Sequence, residues 1–384
     1  QNYNLSSKGG GKYHTYYNSV GYTDQDGIVK GTNYQRFSLQ SKNDYKSGIF
    51  AAGVNVILTY DENKPLWGGT RGGMIGRILL NPPTLAKYDV INLEHPLVLI
   101  DDNRVKRTEN NTKIYANAYL SLEPIKGLKY KLNITPDFQF YRYNEYEGIY
   151  ETGLQANEIA TTAETQTRRR NVLVENLLTY EATFGKHKVS ALAGYSYQDT
   201  RYRYLYGYGK GMTSGIQEID GASEGLTTSG NTSRSVLTSL LGRVFYSFDN
   251  RYLVTATIRR DGSSKFGSNY RYGNFPSASV GWNVAEERFV KDKVDWLDQL
   301  KIRAGYGVLG NQEIDDYQYS SVITTGINYP DGNGGVINGA FPKYFANPDI
   351  HWEETAMTNV GIDFLALGNR LSLTADWYVK NTKD

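Results

Sequence analysis

Apolar and polar residues alternate with a period of two through most of this chain, in runs longer than an ordinary strand needs. In "LKIRAGYGV", Leu300, Ile302, Ala304, Tyr306 and Val308 fall on one face, and Lys301, Arg303, Gly305 and Gly307 on the other. "LKYKLNIT" sets Leu128, Tyr130, Leu132 and Ile134 against Lys129, Lys131, Asn133 and Thr135. "SASVGWNV" and "LSLTADWYVK" repeat the pattern, with Ala278, Val280 and Trp282, then Leu373, Ala375 and Trp377, on their apolar faces. A period of two is the signature of a strand with two different surroundings. The segments run to about 10–14 residues, where soluble strands average about 5–6 and tilted membrane strands need about 9–11. "SVLTSLLGRVFYSF" is the ambiguous segment, with apolar residues on both faces.

No apolar run approaches the ~18 residues of a spanning helix; "VNVIL" and "LVLI" are far too short. A chain like this can therefore cross a bilayer only as a closed barrel, because lipid leaves no partner for an open backbone. The connections carry an independent signal, since short and long links alternate. "GGGK", "NDYKSG", "EPIKG", "FGKHK", "FDNR" and "LGNR" are short, and between them fall longer links expected as loops: Asp24 to Thr32, Asp61 to Arg107, Tyr143 to Thr167, Gly207 to Arg234, Asp261 to Gly273 and Gly310 to Glu353. "EERFVKDKVDWLDQ", from Glu286 to Gln299, is the exception among the short links and has room for a helical turn. The expected fold is all-β: a transmembrane antiparallel β-barrel, partial, with about 14 strands of a larger barrel. Short turns face the periplasm and long loops face outward.

Composition narrows the function. The chain has 42 Lys+Arg against 40 Asp+Glu, for a net charge of +2, without the strongly basic balance of a nucleic-acid binder. Absence of Cys removes disulfides, thiolate nucleophiles and Cys-ligated metals together. The 33 Tyr suit surfaces where apolar and wet surroundings meet. "QNYNLSSKGGGK" has no apolar core of a signal peptide.

Motifs for bond chemistry fail on spacing. His14, His95, His187 and His351 lie too far apart in sequence for metal-ligand spacing. "GYGKGMTSG" has Met212 where a dinucleotide loop needs its third glycine. "DQDG" has Ile28, Val29 and Gln35 where a calcium loop needs a ligand, a glycine and a glutamate. The pairs Asp101/Asp102, Asp315/Asp316 and Glu353/Glu354 are sequence neighbours, and neighbours in a strand point to opposite faces, so adjacency makes no acid/base pair. No enzyme, cofactor or metal is expected. The candidate site residues are loop aromatics, Trp67, Tyr329, Phe341, Tyr344 and Phe345, suited to stacking on sugars or peptide side chains. On the polar strand face, Lys301, Arg303, Asp363 and Asp376 are expected to line a wet lumen.

"RRDGSSKFGSNYRYGNFPSASVGW" reads two ways. Its basic and aromatic residues suit a single-stranded nucleic-acid groove. Its central turn residues and terminal alternation suit two strands and a loop, with Arg259 ending one strand and Phe275 starting the next. On that reading Tyr270, Tyr272 and Phe275 belong to an interfacial girdle.

This stretch resembles the barrel of SusC/RagA-type TonB-dependent outer-membrane transporters of Bacteroidetes. So do "YYNSVGYTDQDGIVKG", "LLTYEATFGKHKVSALAGYSYQ", "LKIRAGYGVLGNQ" and "NPDIHWEETAMTNVGIDF". The resemblance covers essentially the whole chain and resolves the two readings in favour of a membrane wall. It implies residues 1–384 are part of a TonB-dependent receptor barrel of about 22 strands, with plug, signal peptide and closing strands outside the chain. It also implies active import of a bulky glycan oligomer or peptide across the outer membrane. The implied partners are a SusD-like surface lipoprotein, TonB and outer-membrane lipid, with no nucleic acid. The alternatives are a surface binding or adhesion barrel, a passive porin, and a soluble glycan-binding sandwich.

Overall fold

The computed structural model describes residues 1–66, 74–80, 84, 100, 104–152, 155–213 and 216–383. Fourteen strands form one antiparallel sheet. They are β1 (Asn2–Gly10), β2 (His14–Asp26), β3 (Asn33–Ser47), β4 (Phe50–Lys64), β5 (Val105–Ile125), β6 (Leu128–Glu147) and β9 (Thr161–Phe184). They continue as β10 (His187–Met212), β11 (Ala222–Phe248), β12 (Tyr252–Ser263), β13 (Tyr272–Asn283), β14 (Leu297–Asn311), β17 (Glu353–Ala366) and β18 (Leu371–Lys383). Two small hairpins, β7–β8 (Tyr150–Thr152, Gln155–Asn157) and β15–β16 (Ile323–Pro330, Val336–Pro342), are inserted in loops. A helix, α1, occupies Met74–Leu80 in the connection from β4 to β5.

Each strand of the large sheet pairs with the next in the chain, so the sheet is a meander. Six connections at one end are tight: 11–13, 48–49, 126–127, 185–186, 249–251 and 367–370. The seventh at that end, 284–296, carries a 3₁₀ turn (Val284–Glu286) and the single-turn helix α2 (Arg288–Lys291). This is the helical turn expected between Glu286 and Gln299. All six long connections leave from the other end. In the 249–251 connection Asp249 and Asn250 are both at positive φ. Asp and Asn tolerate that conformation, and its twist matches the flanking strands.

The strands differ from expectation mainly in length. β9, β10 and β11 have 24, 26 and 27 residues, so stretches expected as loops, such as 207–234, are mostly paired strand. Ladder pairing satisfies the backbone in water as well as in lipid, so polar Ser/Thr/Tyr alternation extends strands past a membrane. β12 likewise runs on to Ser263 and β13 begins at Tyr272, shortening the loop in the basic-aromatic stretch.

Strand tilt is visible in the register. One row of directly paired residues runs His14, Tyr45, Ala52, Leu120, Leu132, Asn176, Tyr195, Leu240, Arg260, Asn274. It starts at the tight-turn end of β2 and finishes at the loop end of β12 and β13. A sheet whose hydrogen-bond rows climb steadily relative to its ends has the stagger that barrel closure requires.

The two faces are chemically distinct. Ile302, Ile362 and Ala375 share one row on one face, and Leu240, Val244, Ile258 and Val280 lie on the same face. Val244, Val280 and Ile258 are each at least half exposed, and no second sheet packs on them among the described residues. So large a set of exposed aliphatics on one face is the surface of a lipid-facing wall, not of a soluble sandwich. At the tight-turn end this face carries an aromatic row: Phe184, His187, Phe248, Tyr252 and Trp282. It is the girdle expected at an interface. Buried clusters are small. Among the described residues the largest joins Phe266, Phe275 and Trp352 at the loop end.

Candidate functional site

The polar face of β14, β17 and β18 brings three of the four expected lumen residues together. Arg303 pairs across the ladder with Gly361, and Gly361 with Asp376. The Arg303 guanidinium reaches over Gly361 and donates to both neighbouring strands. Its Nη1 lies 2.7 Å from Asp376 Oδ1, and its Nε lies 3.1 Å from Asp363 Oδ2. Nη2 also donates to Asp376 Oδ2 at 2.9 Å. Gly361 is what makes the crossing possible: a Cβ there would stand 2.6 Å from Arg303 Cζ. The fourth residue, Lys301, is directly opposite Asp363, with its stem beside Gly281. A planar guanidinium held by two carboxylates is a rigid, charged feature suited to a wet wall.

The loop aromatics separate. Trp67 lies outside the described residues. Tyr329 and Phe341 belong to β15–β16, where Tyr329 pairs with Ile337 and Phe341 with Thr324. Because 337, 339 and 341 alternate on β16, Tyr329 and Phe341 share one hairpin face, and both are exposed. The turn of this hairpin is held by Asp331 Oδ1, which accepts from the backbone N–H groups of Asn333 and Gly335 at 2.7 Å each. Tyr344 and Phe345 lie just past β16. The Tyr344 carbonyl accepts from Ser321 Oγ at 3.1 Å, and Phe345 is almost wholly exposed.

Phe275 is a correction to the girdle assignment. It is 6% exposed and packs edge-on against Trp352, with centroids 5.3 Å apart. Its partner across the ladder is Arg259, which places it on the polar face with Ser277 and Ser279. The ring lies on Gly310, where a Cβ would stand 2.1 Å away, which accounts for the glycine in "GVLGNQ". Phe266 packs against Trp352 in a tilted pair with centroids 5.0 Å apart, and Trp352 Nε1 donates to the Arg271 carbonyl at 3.1 Å. These contacts tie the loop 264–271 to the long connection 312–352. Tyr270 and Tyr272 remain exposed.

A second charged network at the tight-turn end was not read from the sequence. Glu287 accepts from Tyr252 Oη at 2.6 Å, Trp282 Nε1 at 3.1 Å and Arg251 Nη1 at 3.0 Å. Arg251 also donates to Asp249, which Lys186 holds from the neighbouring turn at 2.8 Å. Neither "FDNR" nor "EERF" reveals this alone, because the partners come from three separate connections. The Tyr252 hydroxyl, then the Trp282 indole and Arg251, hold the Glu287 carboxyl below its ordinary value of 4.5. A carboxyl depressed in the folded state contributes stability that is complete above its ordinary value and is lost as pH falls through the lowered one. The Trp282 Nε1–H resonance should therefore keep its hydrogen-bonded shift at neutral pH and lose it on acidification below 4.5. Glu287→Gln should remove that pH dependence. A resonance that titrates identically in both proteins would contradict the assignment.

Among the described residues no cluster of three or more His, Cys, Asp or Glu could hold a metal. No described helix is long and apolar enough to cross a membrane. The geometry thus defines a transmembrane β-barrel wall with an ion-paired polar face and an apolar outer face.

Comparison with known proteins places that wall. The family model described as "TonB dependent receptor-like, beta-barrel" matches residues 76–384. A TonB-dependent receptor of Formosa agariphila is 31% identical over 396 residues, covering 99% of this chain and 37% of the relative. The TonB-dependent receptor SusC of Bacteroides thetaiotaomicron is 28% identical, covering 100% of this chain and 41% of the relative. The RagAB peptide transporter structure superposes with a TM-score of 0.88 at 22% identity, over 99% of this chain and 44% of that chain. The chain belongs to the TonB-dependent receptor β-barrel family and is an outer-membrane protein, similar in sequence to SusC. It spans about two-fifths of the length of the curated relatives it matches.

Proposed function

We propose that this chain forms part of the wall of an outer-membrane importer for a bulky nutrient, a glycan oligomer or a peptide. The importer would be the channel component of a SusCD-like complex, energised through TonB. The observation that carries the reading is the pairing of faces: a largely apolar exterior band and, behind it, the Arg303–Asp363–Asp376 cluster. An ion-paired inner wall serves a hydrated passage and has no place against lipid. Residues 1–384 make up a section of a larger barrel of about 22 strands. The outer strands β1 and β18 do not pair with each other, which supports this reading. A SusD-like lipoprotein would meet the long-loop end, where Tyr329 and Phe341 share a face and Phe345 stands exposed, and these aromatics would contact substrate or that partner. The named RagAB peptide transporter supports a peptide, and exposed loop aromatics suit stacking on a glycan as well.

Single cysteines test the wall. With full-length protein in native outer membranes, Arg303→Cys and Lys301→Cys should react with a charged, membrane-impermeant maleimide. Ile302→Cys and Ala304→Cys should react only with an apolar reagent. The reverse pattern would overturn the lumen assignment. Import itself is tested by uptake of labelled peptide and glycan oligomers in cells with and without TonB. Uptake indifferent to TonB would point to a passive or adhesive barrel.

A further inference from the structure

On the outer face of β9–β11, just past the loop-side edge of the apolar band, the residue type changes abruptly to arginine. Arg170, Arg201 and Arg234 form one directly paired row. Arg168 and Arg203 are paired in the next row. All five are exposed. Their face is fixed by register. Arg170 continues the row Leu5, Val20, Leu39, Leu58, Ile114, Phe138. Arg168 continues Tyr3, Tyr22, Phe37, Tyr60, Thr112, Phe140. These are the lipid-facing and girdle residues of β1–β6, so the arginines lie on the outside of the wall. One carboxylate accompanies them: Asp199 pairs with Arg234 at 2.7 Å and Arg201 at 3.4 Å.

Height follows from the same register. With about 3.3 Å per residue and a strand tilt of about 40°, each residue gains about 2.5 Å of depth. Arg201 then stands about 35 Å above the His187 girdle row, about 10 Å past the top of an apolar band about 25 Å tall. Beneath the patch the same face holds an open apolar groove of about 570 Å³, lined by Leu178, Ala193, Tyr195, Leu240, Gly242 and Ile258. The small residues at 193 and 242 form its floor between larger neighbours.

We propose that this patch and groove bind a phosphate-bearing glycolipid of the outer leaflet. Its phosphates would lie on Arg170, Arg201, Arg203 and Arg234, and an acyl chain along the groove. Five guanidiniums with one carboxylate leave a strong positive excess in a headgroup layer, where Arg binds phosphate with forked, charge-assisted hydrogen bonds. An exposed cationic patch without such a ligand would repel itself at a site of low dielectric on one side. The inference rests on the apolar face meeting lipid, which cysteine labelling at 302 tests separately.

The test uses full-length protein purified from outer membranes in detergent, with bisphosphorylated lipid A added and bound lipid counted by native mass spectrometry. The triple variant Arg170→Gln/Arg201→Gln/Arg234→Gln should lose at least about tenfold in lipid A binding, as expected for several charge-assisted contacts. Dephosphorylated lipid A should bind weakly to both proteins. Arg169→Gln removes one arginine charge on the opposite face of β9 and should leave lipid binding intact. If the triple variant does not fold, Arg203→Glu alone carries the test and should also weaken binding. Equal binding by wild type and variants would overturn the proposal. So would displacement of lipid A by equimolar inorganic phosphate, which would mark a small-anion site. A variant that keeps lipid A and instead loses a co-purifying protein would mark a protein interface and overturn it too.

Discussion

Val244→Arg should cost about 2–4 kcal/mol of folding free energy, the penalty for arginine on the lipid face near the bilayer midplane. Val244 lies four residues from the Phe248 girdle position, about 10 Å into the band, and is half exposed on the apolar face. The contrast is built into the chain. Arg243 is a native arginine at the same depth, but it points to the other face, where its Nε donates to Thr257 Oγ1 at 3.3 Å. Adjacent residues at one depth thus differ only in which side of the wall they meet. The check is equilibrium urea unfolding of full-length protein in phospholipid vesicles. Leu241→Arg, on the Arg243 face, should cost far less. Equal losses at 241 and 244 would mean that both faces meet the same solvent.

Phe266→Ala should destabilise the loop assembly by about 3–5 kcal/mol, the usual cost of deleting a fully buried aromatic ring. Phe266 is completely buried, and Trp352 is its main aromatic neighbour. The effect should be local, because the cluster joins loops 264–271 and 312–352 without entering the bulk of the ladder. Protease cleavage in 312–352, at Lys343 for example, should speed up by about two to four orders of magnitude, while unfolding of the barrel in urea changes little. Trp352→Phe keeps the ring contact and loses the hydrogen bond to the Arg271 carbonyl, so its effect should be smaller. If Phe266→Ala leaves the cleavage rate unchanged, the aromatic cluster does not hold the loops down.

Much of the wall was legible beforehand because alternation is a local signal. Each strand residue declares its face by its neighbours, so Lys301 and Arg303 separate from Ile302 without knowledge of any partner. The tight turns were legible for a similar reason, since Gly, Asp and Asn mark positive φ within two or three residues. Strand length was less so: Ser, Thr and Tyr in 207–234 alternate with no aliphatic face, and polar alternation in water looks like a loop. The Phe275 error arose from weighting its residue type over its parity, for 275 shares parity with Ser277 and Ser279.

What lies beyond reach of the sequence is everything that depends on register between strands. Arg303 meets Asp376 from 73 residues away, and only the ladder through Gly361 sets that encounter. Glu287 draws partners from two strands and a separate turn, and the arginines at 168, 170, 201, 203 and 234 become one patch only when three long strands align. The sequence by itself determined a two-faced β wall with turns at one end and loops at the other, because side-chain period is a property of each strand alone. Which charges meet, and at what height above the lipid, was decided by the tertiary structure, because stagger between tilted strands is a property of pairs.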